Sequence, residues 1–314
     1  MVFKMMRNWN IWLRLFALCI IVVLPYYVVK KNWLEENEPQ YKLVSVQDAD
    51  TWFIGVSTMR AGLSPEHFAR ELGGARKGFN LAINGGITPH GPCLTSFLKR
   101  KFKPEALNDK RSLFVVEWRS SSFNIRKQNL KRRLREEDEI LYKMYSVNAN
   151  PNFEFILRRM HNERSLGLNL LFTSNSKKNT VIHETGWAAR RVPDVFPTQE
   201  ELETASSYFE SRGHVFSPKR MASFFELIDH LTACGDVIVL ATPLSEASRG
   251  APVADEFIYA ENILRDRKDV LFLDYSDWAE RTDFADFNHL HREAAIRLSS
   301  DVGKKVRDLL GETM

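Results

Sequence analysis

The 314-residue sequence has few cysteines and little net charge for its length. It contains three cysteines, and Cys19 lies in an apolar amino-terminal run, so Cys93 and Cys234 are the one possible disulfide pair in the rest of the chain. That pair neither establishes nor excludes an oxidising compartment. The formal net charge of +4 gives no support for a nucleic-acid-binding surface, and we expect no nucleic-acid partner.

Signatures of nucleotide and metal sites are also missing. The segment Asn84-Gly85-Gly86 is not followed by Gly-Lys-Ser/Thr and does not complete a dinucleotide fingerprint. His289 and His291 are two residues apart, a spacing that does not direct both side chains at one ion on a helix. Because these signatures are missing, we expect neither a cofactor nor a metal. The chain also has no internal repeat and no low-complexity tract.

Only one long hydrophobic run is present. Residues 11–29, IWLRLFALCIIVVLPYYVV, are almost entirely apolar and about long enough to cross a bilayer. Arg14 lies near one end, where its side chain can reach the interface, and tryptophans and tyrosines occupy interfacial positions. The absence of a small-x-small motif after Val29 disfavours a cleavable signal peptide, and a buried amphiphilic helix is the other alternative. The run predicts a single-pass membrane anchor over 1–31, with the remainder of the chain extracytoplasmic, periplasmic or at the cell surface.

Beyond a polar stem at 32–47, the composition is that of a globular protein, with 44% apolar and 27% charged residues in the whole chain. Short apolar runs alternate with helix-like stretches. The runs are TWFIGV, GFNLAING, SLFVVEW, DVIVLATP and DVLFLDYS, and the predicted helices cover 64–72, 92–107, 217–233 and 289–310. This alternation predicts an α/β domain over 48–314, with a mostly parallel sheet covered on both faces.

The middle of the chain, about 124–216, interrupts this alternation and predicts an insertion that forms a lid or a substrate wall. Its segment RKQNLKRRLREEDEILYKMY carries basic and then acidic residues, which is typical of a solvated helical face with local ion pairs. A docking surface for phospholipid head groups or an acidic glycan is the alternative. The later segment TGWAARRVPDVFPTQEE predicts a loop with aromatic residues.

A serine at the end of the first strand and an Asp-x-x-His motif near the carboxyl terminus are the candidates for chemistry. Ser57 follows TWFIGV, and Asp286 and His289 stand three residues apart just before the last predicted helix. A nucleophilic serine needs a base within hydrogen-bond reach and a third group that orients the base. Each residue alone also fits a structural role: Ser57 as a turn residue, Asp286 as a helix cap and His289 as a surface histidine.

Three motifs in this order resemble the SGNH (GDSL-like) hydrolase superfamily. They are GVS after the first strand, NLAINGG after the second and DFNHL before the last helix. Within it, the chain is similar to a membrane-anchored branch that serves cell-envelope polysaccharides and includes D-alanyl transfer proteins of the DltD type and alginate O-acetylation proteins. The resemblance covers about 48–124 and 217–310. It implies a flavodoxin-like three-layer sandwich, the SGNH fold.

The resemblance also implies the roles of individual residues. Ser57 becomes the nucleophile and Asp286 and His289 the remaining triad members, while the amides of Ser57 and Gly85 form the oxyanion hole with Gly86 close behind. Two departures are visible. Val56 stands where many members have aspartate. The third block, which usually supplies an asparagine side chain to the oxyanion, is replaced by RSSSFN, so that Asn124, the candidate for this contact, comes late. Arg60, three residues after the serine, is a candidate substrate contact.

The function implied by the resemblance is acyl transfer or ester hydrolysis on an envelope polysaccharide or related glycan, without a cofactor. A transferase would have a polytopic membrane acyltransferase as partner. The alternative is a non-catalytic anchored protein, used for assembly or glycan binding, on a degenerate SGNH scaffold.

Overall fold

The structure is a computed structural model that describes residues 39–83, 90–104, 112–126, 144–162, 180–198, 200–201, 203–204, 214–249 and 253–311. The predicted anchor at 11–29 lies outside these residues. Within the described part of the chain, no helix is both long enough and apolar enough to span a bilayer.

Strands and helices alternate along most of the described chain. In chain order the strands are β1 (Thr51–Ile54), β2 (Gly78–Asn80), β3 (Ser112–Trp118), β4 (Asn124–Arg126), β5 (Thr180–Ile182), β6 (Ala188–Arg190), β7 (His214–Phe216), β8 (Gly235–Ala241) and β9 (Val270–Asp274). The helices are α1 (Pro39–Ser45), α2 (Ser57–Gly62), α3 (Pro65–Glu71), α4 (Pro92–Lys101), α5 (Phe153–Asn162), α6 (Pro218–Cys234), α7 (Glu246–Arg249), α8 (Asp255–Asp266) and α9 (Arg292–Gly311).

A five-stranded parallel sheet forms the centre of the fold, in the order β2-β1-β3-β8-β9. β3 occupies the middle, and every one of its residues is buried. A central parallel strand has both faces covered, which explains why SLFVVEW is a nearly continuous apolar run rather than an alternating one. The prediction of an α/β fold with a mostly parallel sheet is confirmed.

Alternate residues of the central strands pack in two separate hydrophobic cores, one on each face of the sheet. Phe114 and Val116 pack in one core with apolar side chains of α4 and α6. Leu113 and Val115 face the other core, which contains side chains of α2, α3 and α9. Because successive side chains of a strand point to opposite faces, one sheet supports both cores, and the domain has three layers.

Several boundaries differ from the sequence prediction. The predicted polar stem at 32–47 contributes α1, whose Tyr41 and Val44 are fully buried. The final helix begins at Arg292 rather than at residue 289, because the residues before it form a closed loop. Ser57, which also fits a turn residue in the sequence, begins the short helix α2; this helix has buried side chains at Thr58, Met59 and Ala61 and no side-chain hydrogen bond at its N-cap.

The insertion is closed at its base by a two-stranded ribbon. β4 and β7 pair antiparallel at its two ends, and α5 and the antiparallel hairpin of β5 and β6 lie between them. The sequence predicted a loop for TGWAARRVPDVFPTQEE; this prediction is wrong for Ala188–Arg190, which form β6 of the hairpin. The basic and acidic segment lies almost entirely in 127–143, outside the described residues. Cys93 is partly exposed and Cys234 is buried, and no disulfide joins these two described residues.

Candidate active site

The carboxyl ends of β1 and β3 meet where the strand order of the sheet reverses. The chain leaves β1 for β2 on one side, whereas it leaves β3 for β8 on the opposite side, after the insertion. A crevice forms at such a point in an open parallel sheet, and this is where ligands usually bind. Ser57 follows β1 and Arg119 follows β3, so both lie at this crevice.

Ser57 is held by the first turn of α2. Gly55 and Val56 form the bend after β1, and Ser57 is the first helical residue. At the other end of the same helix, the buried Asn80 side chain donates hydrogen bonds to the carbonyl oxygens of Met59 and Leu63. The asparagine of the predicted second motif therefore anchors the helix that carries the serine.

Ser57, His289 and Asp286 form a continuous hydrogen-bonded relay. The Ser57 Oγ lies 2.9 Å from the His289 Nε2. The His289 Nδ1 lies 3.0 Å from both carboxylate oxygens of Asp286. These distances are within the range expected for a nucleophile, its general base and the group that orients the base. The arrangement is chemically competent to deprotonate Ser57.

A closed loop at 284–290, which we call the histidine loop, presents His289. An antiparallel bridge joins Phe284 to Leu290, and the Ala285 N–H donates to the His289 carbonyl oxygen at 2.7 Å. The Asp286 Oδ1 accepts the backbone N–H groups of Asn288 and His289, each at 2.8 Å. The same carboxylate thus shapes the loop and orients the imidazole.

Arg190, on β6 of the insertion, completes the environment of Asp286. Its guanidinium lies 2.5 Å from the Asp286 Oδ2. Burial works to raise the pKa of Asp286, but hydrogen bonding and charge interaction with His289, the positive charge of Arg190 and the Asn288 N–H lower it below its usual range overall. Asp286 is therefore a carboxylate at neutral pH, as a partner for an imidazolium must be.

Beneath the serine, Glu117 of β3 accepts hydrogen bonds from the residues on both sides of Ser57. Its carboxylate is fully buried and accepts the Val56 N–H at 2.6 Å and the Thr58 hydroxyl. The Thr242 hydroxyl, after β8, donates to it at 2.9 Å. Three donors from two chain segments therefore converge on one carboxylate, which fixes the backbone on either side of Ser57.

Gly55 leaves the space that this carboxylate needs. A Cβ atom at residue 55 would lie 2.6 Å from the Glu117 Oε2 and 2.7 Å from the Met59 Cβ. Contacts this short require the turn at 55–57 or β3 to move. The small residue before Val56-Ser57 is thus explained by the close approach of Glu117.

We expect Gly55→Ala to lower the free energy of unfolding by about 1 to 3 kcal/mol, because the added methyl overpacks the turn. Urea denaturation monitored by tryptophan fluorescence measures the change. Gly62→Ala, at the other end of α2, is the matched control, since a Cβ there meets only the Leu290 Cδ1 at 3.7 Å. Equal stability of the two variants would contradict the role assigned to Gly55.

At the place of the expected third motif, the structure has a buried arginine. Arg119 directly follows β3, and its guanidinium donates to the Asn288 Oδ1 at 2.6 Å, to the Ser248 Oγ at 3.2 Å and to the Pro243 carbonyl oxygen at 3.3 Å. Burial lowers its pKa, and the nearby Glu117 charge opposes this. Arg119 therefore ties the end of β3 to the histidine loop.

The remaining predicted site residues have different outcomes. Gly85 and Gly86 lie outside the described residues. Asn124 begins β4 and accepts the Arg220 guanidinium through its carbonyl oxygen, and no contact within the described chain joins it to the relay. The Ser57 N–H has no acceptor among the described residues, so it remains free for an oxyanion. Arg60 lies on the same helix as Ser57 and is partly buried.

Three contributing residues were not singled out from the sequence: Glu117, Arg119 and Arg190. For Glu117 a signal exists, because a carboxylate inside the otherwise apolar run SLFVVEW is costly to bury without hydrogen-bond donors. Arg119 immediately follows that run. No local pattern distinguishes Arg190, since its partner Asp286 is far away in the sequence.

Among the described residues, no cluster of histidine, cysteine, aspartate or glutamate side chains has the arrangement of a metal site. No family model matches the chain, and no curated protein matches it. Its function is therefore inferred from the geometry of the site.

Proposed function

We propose that the protein is a serine-dependent esterase or O-acyltransferase of the SGNH type, acting on esters of a cell-envelope polysaccharide or a related glycan. The observation that carries this proposal is the relay from Ser57 through His289 to Asp286 at the carboxyl edge of a parallel sheet. A relay of these residues at hydrogen-bond distances is the arrangement that activates a serine for acyl transfer.

The proposed reaction has two stages. His289 Nε2 takes the Ser57 proton as Oγ attacks an ester carbonyl, and Asp286 stabilises the imidazolium that forms. The tetrahedral oxyanion accepts the free Ser57 N–H and a second amide that we assign to Gly85. When the intermediate collapses, the leaving alcohol receives the proton from His289 and an acyl-serine remains. Water or a sugar hydroxyl then attacks the acyl group, with His289 again as base.

The topology of the sheet supports the SGNH assignment. When its strands are numbered along the chain within the sheet alone, their spatial order is 2-1-3-4-5, the order of flavodoxin-like doubly wound folds. Fold alone does not establish an activity, because one fold supports many functions. The proposal therefore depends on the relay, and the topology agrees with it.

The sequence adds the proposed location and partners. The apolar run at 11–29 is proposed to anchor the chain in a membrane, with the α/β domain on the extracytoplasmic side. An acyltransferase in that position would receive its acyl group from a polytopic membrane protein. An esterase would need only the acylated glycan.

Reaction with a fluorophosphonate probe tests the nucleophile. We expect the full-length chain to be labelled covalently and Ser57→Ala to lose labelling completely, because an activated serine oxygen displaces fluoride from the probe and forms a phosphonate ester. Mass spectrometry locates the adduct. Ser96→Ala is a suitable control, since the Ser96 hydroxyl, on an exposed part of α4, accepts a hydrogen bond from Arg100 and takes no part in the relay. Labelling that persists in Ser57→Ala would overturn the assignment.

The second candidate is a non-catalytic glycan-binding or assembly protein on the same scaffold. It is favoured by Arg119, which stands at the place of the expected oxyanion asparagine and directs its guanidinium to the histidine loop and the Pro243 carbonyl oxygen. This candidate predicts a folded wild-type chain that the probe does not label. Circular dichroism of the same sample establishes that the chain is folded.

A further inference from the structure

Ser57 and Arg60 share the open face of α2. The side chains of Thr58, Met59 and Ala61 are buried, whereas Ser57 and Arg60 are the two residues of this helix that retain partial exposure. Residues three positions apart on a helix are neighbours, with Cβ atoms about 5–6 Å apart. The Arg60 side chain therefore leaves the helix on the same face as the Ser57 hydroxyl, within reach of a molecule bound at that face.

Arg60 differs from the two other arginines of the site, Arg119 and Arg190, in the partners of its guanidinium. Arg190 contacts Asp286, and Arg119 contacts Asn288. The Arg60 side chain makes no ion pair and no hydrogen bond with any residue that the structure describes. Burial lowers its pKa, and no neighbouring carboxylate opposes this effect. Burying a cation without a partner costs free energy, which an anion could offset.

The charges around the serine also favour an anion. Asp286 contacts Arg190, and the Glu117 carboxylate accepts hydrogen bonds from the Val56 N–H and the hydroxyls of Thr58 and Thr242. Both carboxylates are thus already engaged, and no described residue supplies a counter-ion for Arg60. A guanidinium presents parallel N–H donors that match the two oxygens of a carboxylate.

We infer that Arg60 forms an anion subsite that binds a carboxylate of the molecule whose ester Ser57 attacks. The inference rests on the proposed function, because it places the anion relative to that ester. It assigns the substrate to the class of esters that carry a carboxylate within one arginine side chain's length of the acyl group. The chemistry is binding and orientation, and no bond is formed to Arg60.

A matched pair of small esters tests the subsite. 4-Acetoxybenzoate and 4-acetoxybenzamide have the same shape and differ in charge. Their affinities for the full-length Ser57→Ala chain are measured by NMR titration, with and without Arg60→Gln. We expect the Ser57→Ala chain to bind the carboxylate roughly 10- to 100-fold more tightly than the amide, the usual range for a hydrogen-bonded charge pair. Arg60→Gln should abolish this preference, and Arg60→Lys should retain part of it.

Arg70→Gln is the matched control, because Arg70 occupies the last turn of α3 but is largely exposed and pairs with Glu66. It should leave the preference unchanged. Equal affinity for the two esters, no binding of 4-acetoxybenzoate, or a preference that survives Arg60→Gln would overturn the subsite. Because these titrations use Ser57→Ala protein, their result does not depend on whether Ser57 is a nucleophile. Failure of the proposed function appears separately, as absence of fluorophosphonate labelling in the wild-type chain.

Discussion

Asp286→Asn is expected to slow the reaction of Ser57 with a fluorophosphonate by about 10³- to 10⁴-fold, the scale seen when a triad aspartate becomes an amide. The asparagine oxygen can still accept the N–H groups of Asn288 and His289, so the histidine loop keeps its shape. Its NH₂ group then faces the His289 Nδ1 and donates to it. Because this favours the tautomer with a proton on Nε2, His289 can no longer accept the Ser57 proton.

The rate constant of labelling is measured for Asp286→Asn and the wild type by quenching samples at successive times and quantifying the adduct by mass spectrometry. Asp277→Asn is the matched control, since its carboxylate is 86% exposed and contacts only Arg249 among the described residues. The control should react at the wild-type rate. An Asp286→Asn chain that also reacts at the wild-type rate would show that Asp286 does not set the tautomer of His289.

Glu117→Ala is expected to lower the free energy of unfolding by about 3 to 5 kcal/mol, because it leaves buried donors unpaired and opens a cavity. The Val56 N–H and the hydroxyls of Thr58 and Thr242 all lose their acceptor. These groups flank Ser57, so fluorophosphonate labelling of the remaining folded protein should also slow. The free energy is measured by urea denaturation.

Glu117→Gln removes the charge of this side chain and keeps nearly the same shape. Its amide oxygen can accept the Val56 N–H while its NH₂ group donates to the threonine hydroxyls, so we expect a smaller loss of stability than in Glu117→Ala. If Glu117→Ala were within about 1 kcal/mol of the wild type, the buried carboxylate would not be what holds the nucleophile turn.

Much of the fold could be predicted from the pattern of apolar residues. The runs TWFIGV and SLFVVEW become β1 and β3 because strands covered on both faces need apolar residues at every position. Ser64-Pro65 correctly indicates the start of α3. The stem at 32–47 differs, because α1 has only a short group of apolar residues, Tyr41, Leu43 and Val44, and their burial depends on the core that α1 packs against.

For the site, the sequence indicated the residue types and the structure supplied their neighbours. Ser57 and the Asp286-x-x-His289 motif stand at an element boundary where such residues can act, and the structure joins them through hydrogen bonds. The contact between Arg190 and Asp286 depends on how the insertion folds back over the sheet. A contact between segments this far apart leaves no periodic trace in the sequence.

The sequence by itself determined the alternation of strands and helices, because hydrophobic periodicity and turn residues are local properties. It also determined which strand end carries the serine. Only the tertiary structure decided that Glu117 lies under that serine, that Arg119 binds the histidine loop and that Arg60 has no partner among the described residues. Each of these findings concerns side chains that lie far apart in the sequence and meet only through packing. Whether a buried charge has a partner, and which hydrogen bonds it makes, is therefore set by the folded structure.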